Sequence, residues 1–343
     1  MSQLHPTENG GRKPSLAKQV LLFAMKAAIA AALIYWLVRQ NRLDLALLAR
    51  LRADAQTLMI LLAGGAGVLA GLLLLAWRLK RLLEFRGLAV SLGRALGLTL
   101  VGSFSGAVLP GLVGGDVVKA AYLCADEPGR RADAVAAVIL DRLVGLYALF
   151  LLGTIAWVAA AACGTLPAGT PVLLAAPACV VLGTVGMALL AWPALRQSRP
   201  VRWLFALAPA RVQRLLRALT SYVKAPRVIV VAVLLSLANH SLVVFSYVAA
   251  GQLLDAQLRL SHHFILDPLA MAMNAVAITP GGIGLAEGAF SFLFEAAGSP
   301  SALGATVGLL GRFIQYGVFT IGGVAALLAM RAGRRQADKQ TSP

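Results

Sequence analysis

The 343-residue sequence contains little charge, and acidic charge in particular is scarce. Only 13% of its residues are Asp, Glu, Lys or Arg, whereas 59% are hydrophobic, and the mean hydropathy is +0.80. A soluble domain of this length needs a far more charged surface to cover its core. The composition therefore excludes an ordinary soluble domain and predicts an integral membrane protein.

Cysteines and catalytic motifs are also scarce. The three cysteines, Cys124, Cys163 and Cys179, lack the paired spacing of a zinc site or a disulfide framework. The sequence contains no Walker-type phosphate loop, no nucleophile elbow and no metal-hydrolase motif, which excludes an ATP-driven pump within this chain. We expect no catalytic residues, no bound metal and no cofactor. A lipid-modifying enzyme that uses Asp141 or His240 stays an alternative.

Long apolar runs indicate an all-α membrane protein. Each run is close to the roughly 20 residues that cross a bilayer as a helix. They lie at about 20–38, 58–77, 143–162, 172–192, 228–250 and 313–330. The pattern predicts six full spans, of which the third and the last extend at their N-terminal ends through Arg142 and Arg312.

The basic residues predict the orientation. Although the net charge is +17, the Lys and Arg residues gather in alternate segments between spans, with 23 on one side and 5 on the other. This bias favours a membrane partner over nucleic acid and places both termini in the cytoplasm. Residues 193–227 interleave Arg with Trp and Leu, which is typical of an amphipathic helix on an anionic inner leaflet. A plain linker between two halves is the alternative for this segment.

One sequence pattern occurs twice. Pro110-Gly111 and Pro280-Gly281 each begin a Gly-rich element, and each Pro is followed 32 residues later by an Arg, Arg142 or Arg312. The offset between the two copies is 170 residues. Internal repetition of interrupted apolar segments is typical of transporters.

The two Gly-rich regions, at about 95–115 and 265–298, predict re-entrant hairpins. Pro and Gly interrupt the apolar pattern, and such backbone is tolerated at membrane depth only where protein or water satisfies it. Three spans separate the hairpins, which would enter from opposite faces as an inverted repeat. Kinked ordinary spans are the alternative. The predicted turn residues are Pro110, Gly111, Gly114, Gly115, Pro280, Gly281, Gly282 and Gly284.

These boundaries divide the chain into five parts. Residues 1–19 form a basic cytoplasmic N-terminus, 20–192 the first membrane half, 193–227 the linker, 228–330 the second half and 331–343 a basic cytoplasmic tail.

Arg142 and Arg312 are the leading candidates for contact with a substrate. A guanidinium at membrane depth faces a partner or an aqueous cavity, and its planar fork of donors suits phosphate oxygens. The alternative is that Asp116 neutralises Arg142 and Glu287 neutralises Arg312, which would join each hairpin to a span. Phosphate binding and ion pairing are compatible if each ion pair opens to admit a phosphate.

Two further charged residues complete the set of candidate substrate-binding residues. Lys119 is placed to pair with Asp116 one turn away, and Asp141 is expected to bond away from its neighbour Arg142.

Three segments together resemble the flippase-like transmembrane domain of lysylphosphatidylglycerol synthases over about residues 20–330. They are Ser105–Ala120, Ala137–Gly145 and Thr279–Gly288. The resemblance implies a bacterial inner-membrane protein with re-entrant helices in an inverted repeat that moves phospholipids between leaflets. It also implies, as an alternative, an accessory role for a lipid, hopanoid, glycolipid or polysaccharide biosynthetic enzyme, with a phospholipid or a polyprenyl- or hopanoid-type lipid as partner. No soluble aminoacyl-transferase domain follows in this sequence, so we do not expect lysine transfer.

Overall fold

The computed structural model describes residues 16–109, 114–167, 171–192, 198–199, 203, 207–273 and 279–341, and all regular structure in these ranges is helical. The helices are α1 (Leu16–Arg39), α2 (Leu45–Ala49), α3 (Ala55–Phe85), α4 (Leu92–Val108), α5 (Gly114–Asp126), α6 (Arg131–Ala162), α7 (Ala175–Ala191), α8 (Ala210–Ser221), α9 (Pro226–Leu253), α10 (Leu260–Ala272), α11 (Leu285–Ala296) and α12 (Ser301–Thr341). Short 3-10 turns occur at Pro128–Arg130, Pro171–Leu174, Tyr222–Lys224 and Pro280–Gly282.

Five helical segments are long and apolar enough to cross a membrane. They are Ala55–Phe85, Pro128–Ala162, Pro171–Leu189, Pro226–Leu253 and Ser301–Met330. The predicted span at 20–38 lies within α1, of which Ala28–Arg39 is an apolar helix shorter than a span. Length and composition therefore support a multi-pass all-α membrane protein, with five of the six predicted spans identified among the described residues.

Both long Arg-bearing helices begin well before the apolar runs, as predicted. α6 begins at Arg131 and α12 at Ser301, so Arg142 and Arg312 are each the twelfth residue of their helix. At about 1.5 Å per residue, each Arg lies roughly 16 Å from the helix start, which is about half the thickness of the hydrocarbon core.

The order of helices repeats at nearly the offset seen in the sequence. The starts of α6 and α12 differ by 170 residues, and the starts of α3 and α9 (55 and 226), α4 and α10 (92 and 260), and α5 and α11 (114 and 285) differ by 171, 168 and 171. The packing repeats as well, because α4 packs on α12 as α10 packs on α6, and α5 packs on α6 as α11 packs on α12.

The equivalent helices α3 and α9 pack against each other in antiparallel directions. Gly64 faces Ala249 near one end of the contact, and Gly71 faces Asn239 further along. A Cβ built on Gly71 would lie 2.6 Å from the Asn239 Oδ1 atom, so glycine allows the close approach. Residues later in α3 therefore contact residues earlier in α9, as in an antiparallel pair.

A pair of packed helices lies at each predicted re-entrant hairpin, and re-entry into the membrane stays a prediction. The first consists of α4 and α5 and extends from Leu92 to Asp126 rather than from 95 to 115. The second consists of α10 and α11 and begins at Leu260 rather than at 265. The sequence pattern located the interruption within each helix pair. It did not locate the polar outer ends of the helices, because Asp, Lys and His residues there interrupt the apolar run.

The described part of the predicted linker contains an amphipathic helix. α8 carries Arg211, Arg214 and Arg217 on exposed positions and packs on α6, and its Ala218 is buried. Directly after it, the buried Tyr222 hydroxyl donates to the Leu82 carbonyl oxygen at 2.8 Å, and burial raises the pKa of this phenol.

An exposed carboxylate, Asp54, caps the N-terminal end of α3. Asp54 accepts a hydrogen bond from the Thr57 backbone N–H at 2.8 Å, and this bond holds the pKa of Asp54 below its usual value.

Candidate functional site

A cavity of about 280 Å³ lies where the second turn, Pro280–Gly282, approaches the C-terminal part of α4. The approach is close, since a Cβ built on Gly281 of the second turn would lie 3.0 Å from the Ala107 carbonyl oxygen of α4. The first half of the chain lines the cavity with Gly102, Ser103, Gly106, Ala107, Gly114, Gly115, Asp116, Lys119 and Arg142. The second half lines it with Tyr247, Thr279, Gly281, Gly282, Arg312, Gln315, Tyr316 and Phe319.

On the first-half side, one carboxylate bridges two cations. Asp116 Oδ1 lies 2.7 Å from Lys119 Nζ, and Asp116 Oδ2 accepts a hydrogen bond from Arg142 Nη1 at 2.8 Å. Asp116 and Lys119 are three residues apart on α5, which places them on one face of that helix, and α6 supplies Arg142. The predicted pair Asp116–Lys119 is present, and so is Asp116–Arg142, the pair given as the alternative to phosphate contact.

Behind this group lies a buried ion pair. Arg78 of α3 donates from Nε to Asp141 Oδ1 at 2.7 Å and from Nη1 to Ser236 Oγ at 2.6 Å, and Arg78 and Asp141 are each only 4% exposed. Asp141 Oδ2 also lies 3.6 Å from Lys119 Nζ. A continuous chain of alternating charge thus extends from Arg78 to the cavity.

Sequence reasoning missed Arg78 and counted it with a cytoplasmic segment. The available signal was its position directly after the apolar run 58–77, with further apolar residues after it. Lys119 was assigned to the same kind of segment, yet it lines the cavity. Asp141 does bond away from Arg142, as predicted, since adjacent helical residues point in different directions.

On the second-half side, Arg312 is almost fully enclosed, with an exposed fraction of 3%. Its Nη1 donates to the Gly281 carbonyl oxygen at 2.6 Å, and its Nε lies 3.3 Å from Glu287 Oε1. The Tyr316 hydroxyl donates to the same Gly281 oxygen at 2.7 Å. The Arg312–Glu287 pair, given as the alternative to phosphate contact, is present and joins α12 to α11.

Glu287 also organises the start of α11. Its Oε2 accepts a hydrogen bond from the Gly284 backbone N–H at 2.6 Å, and its side chain is fully buried. A carboxylate in the first turn of a helix satisfies otherwise unpaired N–H groups and interacts favourably with the helix dipole. Glu287 therefore has a structural partner in addition to Arg312.

Backbone geometry explains the glycines of the second turn. Gly281, Gly282 and Gly284 have φ values of 58°, 75° and 88°, in the left-handed region that favours glycine. Pro280 begins the 3-10 turn, and Gly284 is the N-cap of α11. Glycine is therefore favoured at these three positions of the second predicted turn.

In the first hairpin the predicted Pro110 and Gly111 lie outside the described residues. Gly114 and Gly115 begin α5, and Gly115 packs so closely on α4 that a Cβ there would overlap the Gly102 carbonyl oxygen. The backbone N–H groups at the start of α5 have no intrahelical acceptor, and the helix dipole adds positive potential at the cavity wall.

No metal centre is found among the residues that the structure describes, because no three His, Cys, Asp or Glu side chains lie together there. A buried pair outside the cavity links His263 Nδ1 to Asp267 Oδ2 at 2.9 Å on α10. His240 Nε2 lies 2.9 Å from the Gly145 carbonyl oxygen and joins α9 to α6.

The fold and the cavity define the chain as a multi-pass helical membrane protein with paired hairpins and a charged internal site. The family model described as the lysylphosphatidylglycerol synthase TM region matches residues 23–323, and the chain belongs to this family. No curated protein and no solved structure matched the chain. The family match confirms the resemblance drawn from the hairpin motifs and connects the chain with membrane lipids.

Proposed function

We propose that this protein binds the headgroup of an anionic phospholipid or lipid-linked intermediate between its two halves and moves it from one leaflet to the other. The observation that carries the proposal is that residues of both predicted hairpins and both Arg-bearing helices line one cavity. The proposed activity is transport without a bond-making step, so the protein is not an enzyme under this proposal.

The charges of the cavity support an anionic ligand. Among its described lining residues, Lys119, Arg142 and Arg312 are cationic, and Asp116 is the acidic one. Guanidinium groups bind phosphate oxygens through paired donors, and the start of α5 adds backbone N–H groups. A phosphate therefore meets cations from both halves of the chain, and the excess of positive charge comes from the first half, because Glu287 offsets Arg312 in the second.

The size of the cavity supports binding of a headgroup alone. Pockets that enclose a whole drug-sized ligand have volumes of about 300–1,000 Å³, and this cavity has about 280 Å³. Under the proposal the acyl chains stay in the bilayer while the headgroup passes through the protein.

The repeated helix order supports an inverted repeat. α3 and α9 occupy equivalent places in the two halves and pack in antiparallel directions, as an axis in the membrane plane requires. The two re-entrant hairpins would then enter from opposite faces, and rocking of one half against the other would expose the cavity alternately.

The distribution of basic residues supports an orientation with both termini in the cytoplasm of a bacterial inner membrane. In that orientation α8, with its exposed Arg211, Arg214 and Arg217, lies at the anionic inner leaflet. We place no nucleic acid among the partners, because the membrane surface accounts for this charge.

The direct test is movement of fluorescent lipids between leaflets in liposomes that contain the purified protein. The lipids are phosphatidylglycerol, another anionic phospholipid and a polyprenyl phosphate, and the variants are Arg142→Gln, Arg312→Gln and the double variant. We expect wild type to move at least one anionic lipid and the double variant to move none. A matched control is Arg81→Gln, whose side chain lies on α3 and is 54% exposed.

Two outcomes would contradict the proposal. Movement by the folded double variant at the wild-type rate would remove the role of the arginines. Lack of movement of every lipid by wild type would favour the alternative, an accessory protein that positions lipid for a separate biosynthetic enzyme.

A further inference from the structure

The charged groups on the first-half side of the cavity carry one positive charge in excess. Five side chains form a continuous series with 2.7, 3.6, 2.7 and 2.8 Å between successive members, and in order they are Arg78, Asp141, Lys119, Asp116 and Arg142. Three of these side chains are cations and two are carboxylates. Because unbalanced charge at membrane depth is costly, a bound group with one negative charge stabilises this side of the cavity.

The cavity offers no carboxylate to an ammonium group. Asp116 is the one acidic residue among the described lining residues, and its two oxygens already contact Lys119 and Arg142. Glu287 is fully buried, is not among the described lining residues and pairs with Arg312. An amine in the headgroup would therefore add a second cation where one positive charge is already in excess.

Backbone and aromatic groups do not replace the missing carboxylate. Gly281 lines the cavity, but its carbonyl oxygen already accepts hydrogen bonds from Arg312 and Tyr316. The Arg312 guanidinium also lies over the Tyr316 ring, 5.9 Å from its centre, where another cation would otherwise bind. A headgroup ammonium would compete with Arg312 for both groups.

The cavity lining does offer neutral hydroxyl groups. Ser103 of α4 and Thr279, just before the second turn, line the cavity, and neither side-chain hydroxyl has a hydrogen-bond partner within the described part of the chain. Thr279 is only 2% exposed, and an unpaired buried hydroxyl is costly. A headgroup hydroxyl that reaches these side chains on binding recovers that cost, with one contact from each half of the chain.

We propose that the cavity selects lipids whose headgroup joins a singly charged phosphodiester to hydroxyl groups, and that it excludes headgroups that carry an ammonium group. This inference rests on the proposed function and names the substrate class of the same site. Phosphatidylglycerol belongs to the selected class, whereas phosphatidylethanolamine belongs to the excluded one. Lysylphosphatidylglycerol, which appears in the name of the family model, carries two ammonium groups and is also excluded.

The experiment compares different headgroups on the same lipid body. Purified wild-type protein in a nonionic detergent is titrated by calorimetry with the dihexanoyl forms of phosphatidylglycerol, phosphatidylpropanol, phosphatidylethanolamine and lysylphosphatidylglycerol. Phosphatidylpropanol has the charge and the carbon number of the phosphatidylglycerol headgroup but no hydroxyl, so this pair isolates the hydroxyl contacts. The two amine-bearing lipids measure the effect of the ammonium group.

We expect phosphatidylglycerol to bind most tightly of the four lipids. Its affinity should exceed that of phosphatidylpropanol about two- to tenfold, the effect of one hydrogen bond. It should exceed that of phosphatidylethanolamine by at least about tenfold, and lysylphosphatidylglycerol should bind most weakly. Glycerophosphoglycerol, the same headgroup without acyl chains, should bind more weakly than the lipid. Equal affinity would support the selectivity but assign the site to a soluble phosphodiester.

Two hydroxyl deletions test the neutral contacts. Ser103→Ala and Thr279→Val should each narrow the difference between phosphatidylglycerol and phosphatidylpropanol without changing the affinity for phosphatidylpropanol, which a general loss of structure would lower. Ser105→Ala, on α4 but outside the cavity lining, is the matched control and should bind all four lipids as wild type does.

A charge deletion tests the exclusion of amines. Lys119→Gln removes the excess positive charge, so it should weaken phosphatidylglycerol binding and narrow its advantage over phosphatidylethanolamine. Lys80→Gln is the matched control, because Lys80 lies on α3 and pairs with Glu84 away from the cavity. The wild-type series decides the question even if Lys119→Gln does not fold.

Three results would overturn the inference in distinguishable ways. Equal affinity of wild type for phosphatidylglycerol and phosphatidylpropanol removes the hydroxyl contacts. Equal or tighter binding of either amine-bearing lipid removes the exclusion of ammonium groups and leaves the proposed function standing. Absence of binding for all four lipids and for glycerophosphoglycerol removes both the inference and the proposed function.

Discussion

Arg142 and Arg312 lie 170 residues apart and line the same cavity, yet their surroundings differ sharply. The Arg142 side chain is 33% exposed beside Asp116, whereas the Arg312 side chain is 4% exposed and bonded to the Gly281 carbonyl oxygen. A ligand can therefore reach the Arg142 guanidinium more easily than the Arg312 guanidinium. Arg142 is accessible from the cavity in this structure, whereas Arg312 is enclosed.

This difference predicts unequal effects on stability. Arg312→Gln leaves fully buried Glu287 without its cation, and removing one partner of a buried pair costs about 3–5 kcal/mol. Arg142→Gln should cost less, because Arg142 is partly exposed and Lys119 still pairs with Asp116. Thermal unfolding in detergent measures the loss of stability in both variants. The double variant Arg312→Gln, Glu287→Gln should recover part of the loss, and equal melting temperatures for the two single variants would contradict the predicted asymmetry.

Arg78 is predicted to support the cavity without lining it. Arg78→Gln should unpair Asp141 and shift Lys119, which lies 3.6 Å from Asp141, so anionic lipid binding and stability both fall. Arg78→Lys restores the charge but not the two directed donations to Asp141 and Ser236, and should recover only part of the function. The measurements are phosphatidylglycerol affinity and melting temperature.

The matched control for Arg78 is Arg81, on the same helix and 54% exposed. Arg81→Gln should change stability by no more than about 1 kcal/mol, the typical value of a surface pair. If Arg78→Gln and Arg81→Gln behave alike, the buried charge chain has no role in binding.

Much of this arrangement could be predicted from the sequence, and the reason is the repeat. The Pro-Gly elements at Pro110 and Pro280 and the equal spacing to Arg142 and Arg312 indicated two hairpins and two basic sites before any geometry was known. The ion pairs on Asp116 and Glu287 followed from the cost of isolated charge at membrane depth.

The parts that could not be predicted depend on contacts between distant segments. Arg78 meets Asp141 and Ser236 only because α3, α6 and α9 pack together, and no spacing within α3 shows this. Likewise, the Tyr316 bond to the Gly281 carbonyl needs the turn to fold back onto α12. Local periodicity identifies helices, but it does not show which faces meet.

Close packing of the first hairpin predicts a strong effect of one methyl group. Gly115→Ala places a Cβ against the Gly102 carbonyl oxygen, which is backbone and cannot move aside alone. Forcing α4 and α5 apart should cost about 1–3 kcal/mol, as overpacking does, and should distort the wall that carries Asp116. Gly93→Ala, on α4 with open space around it, is the control. A wild-type melting temperature for Gly115→Ala would show that the helices are less tightly packed than the structure indicates.

The proposed orientation of the chain predicts labelling of two positions from opposite sides of the membrane. In a cysteine-free background, Arg214→Cys on α8 and Gln257→Cys between α9 and α10 are separated by one span, so a membrane-impermeant maleimide should reach them from different faces. The charge bias predicts that Arg214→Cys is labelled only after the inner membrane is made permeable and that Gln257→Cys is labelled in spheroplasts. Lipid transport by each cysteine variant serves as the control for a native fold. Labelling of both positions from the same side would contradict the crossing of α9, and exchange of the two sides would reverse the orientation on which the placement of α8 depends.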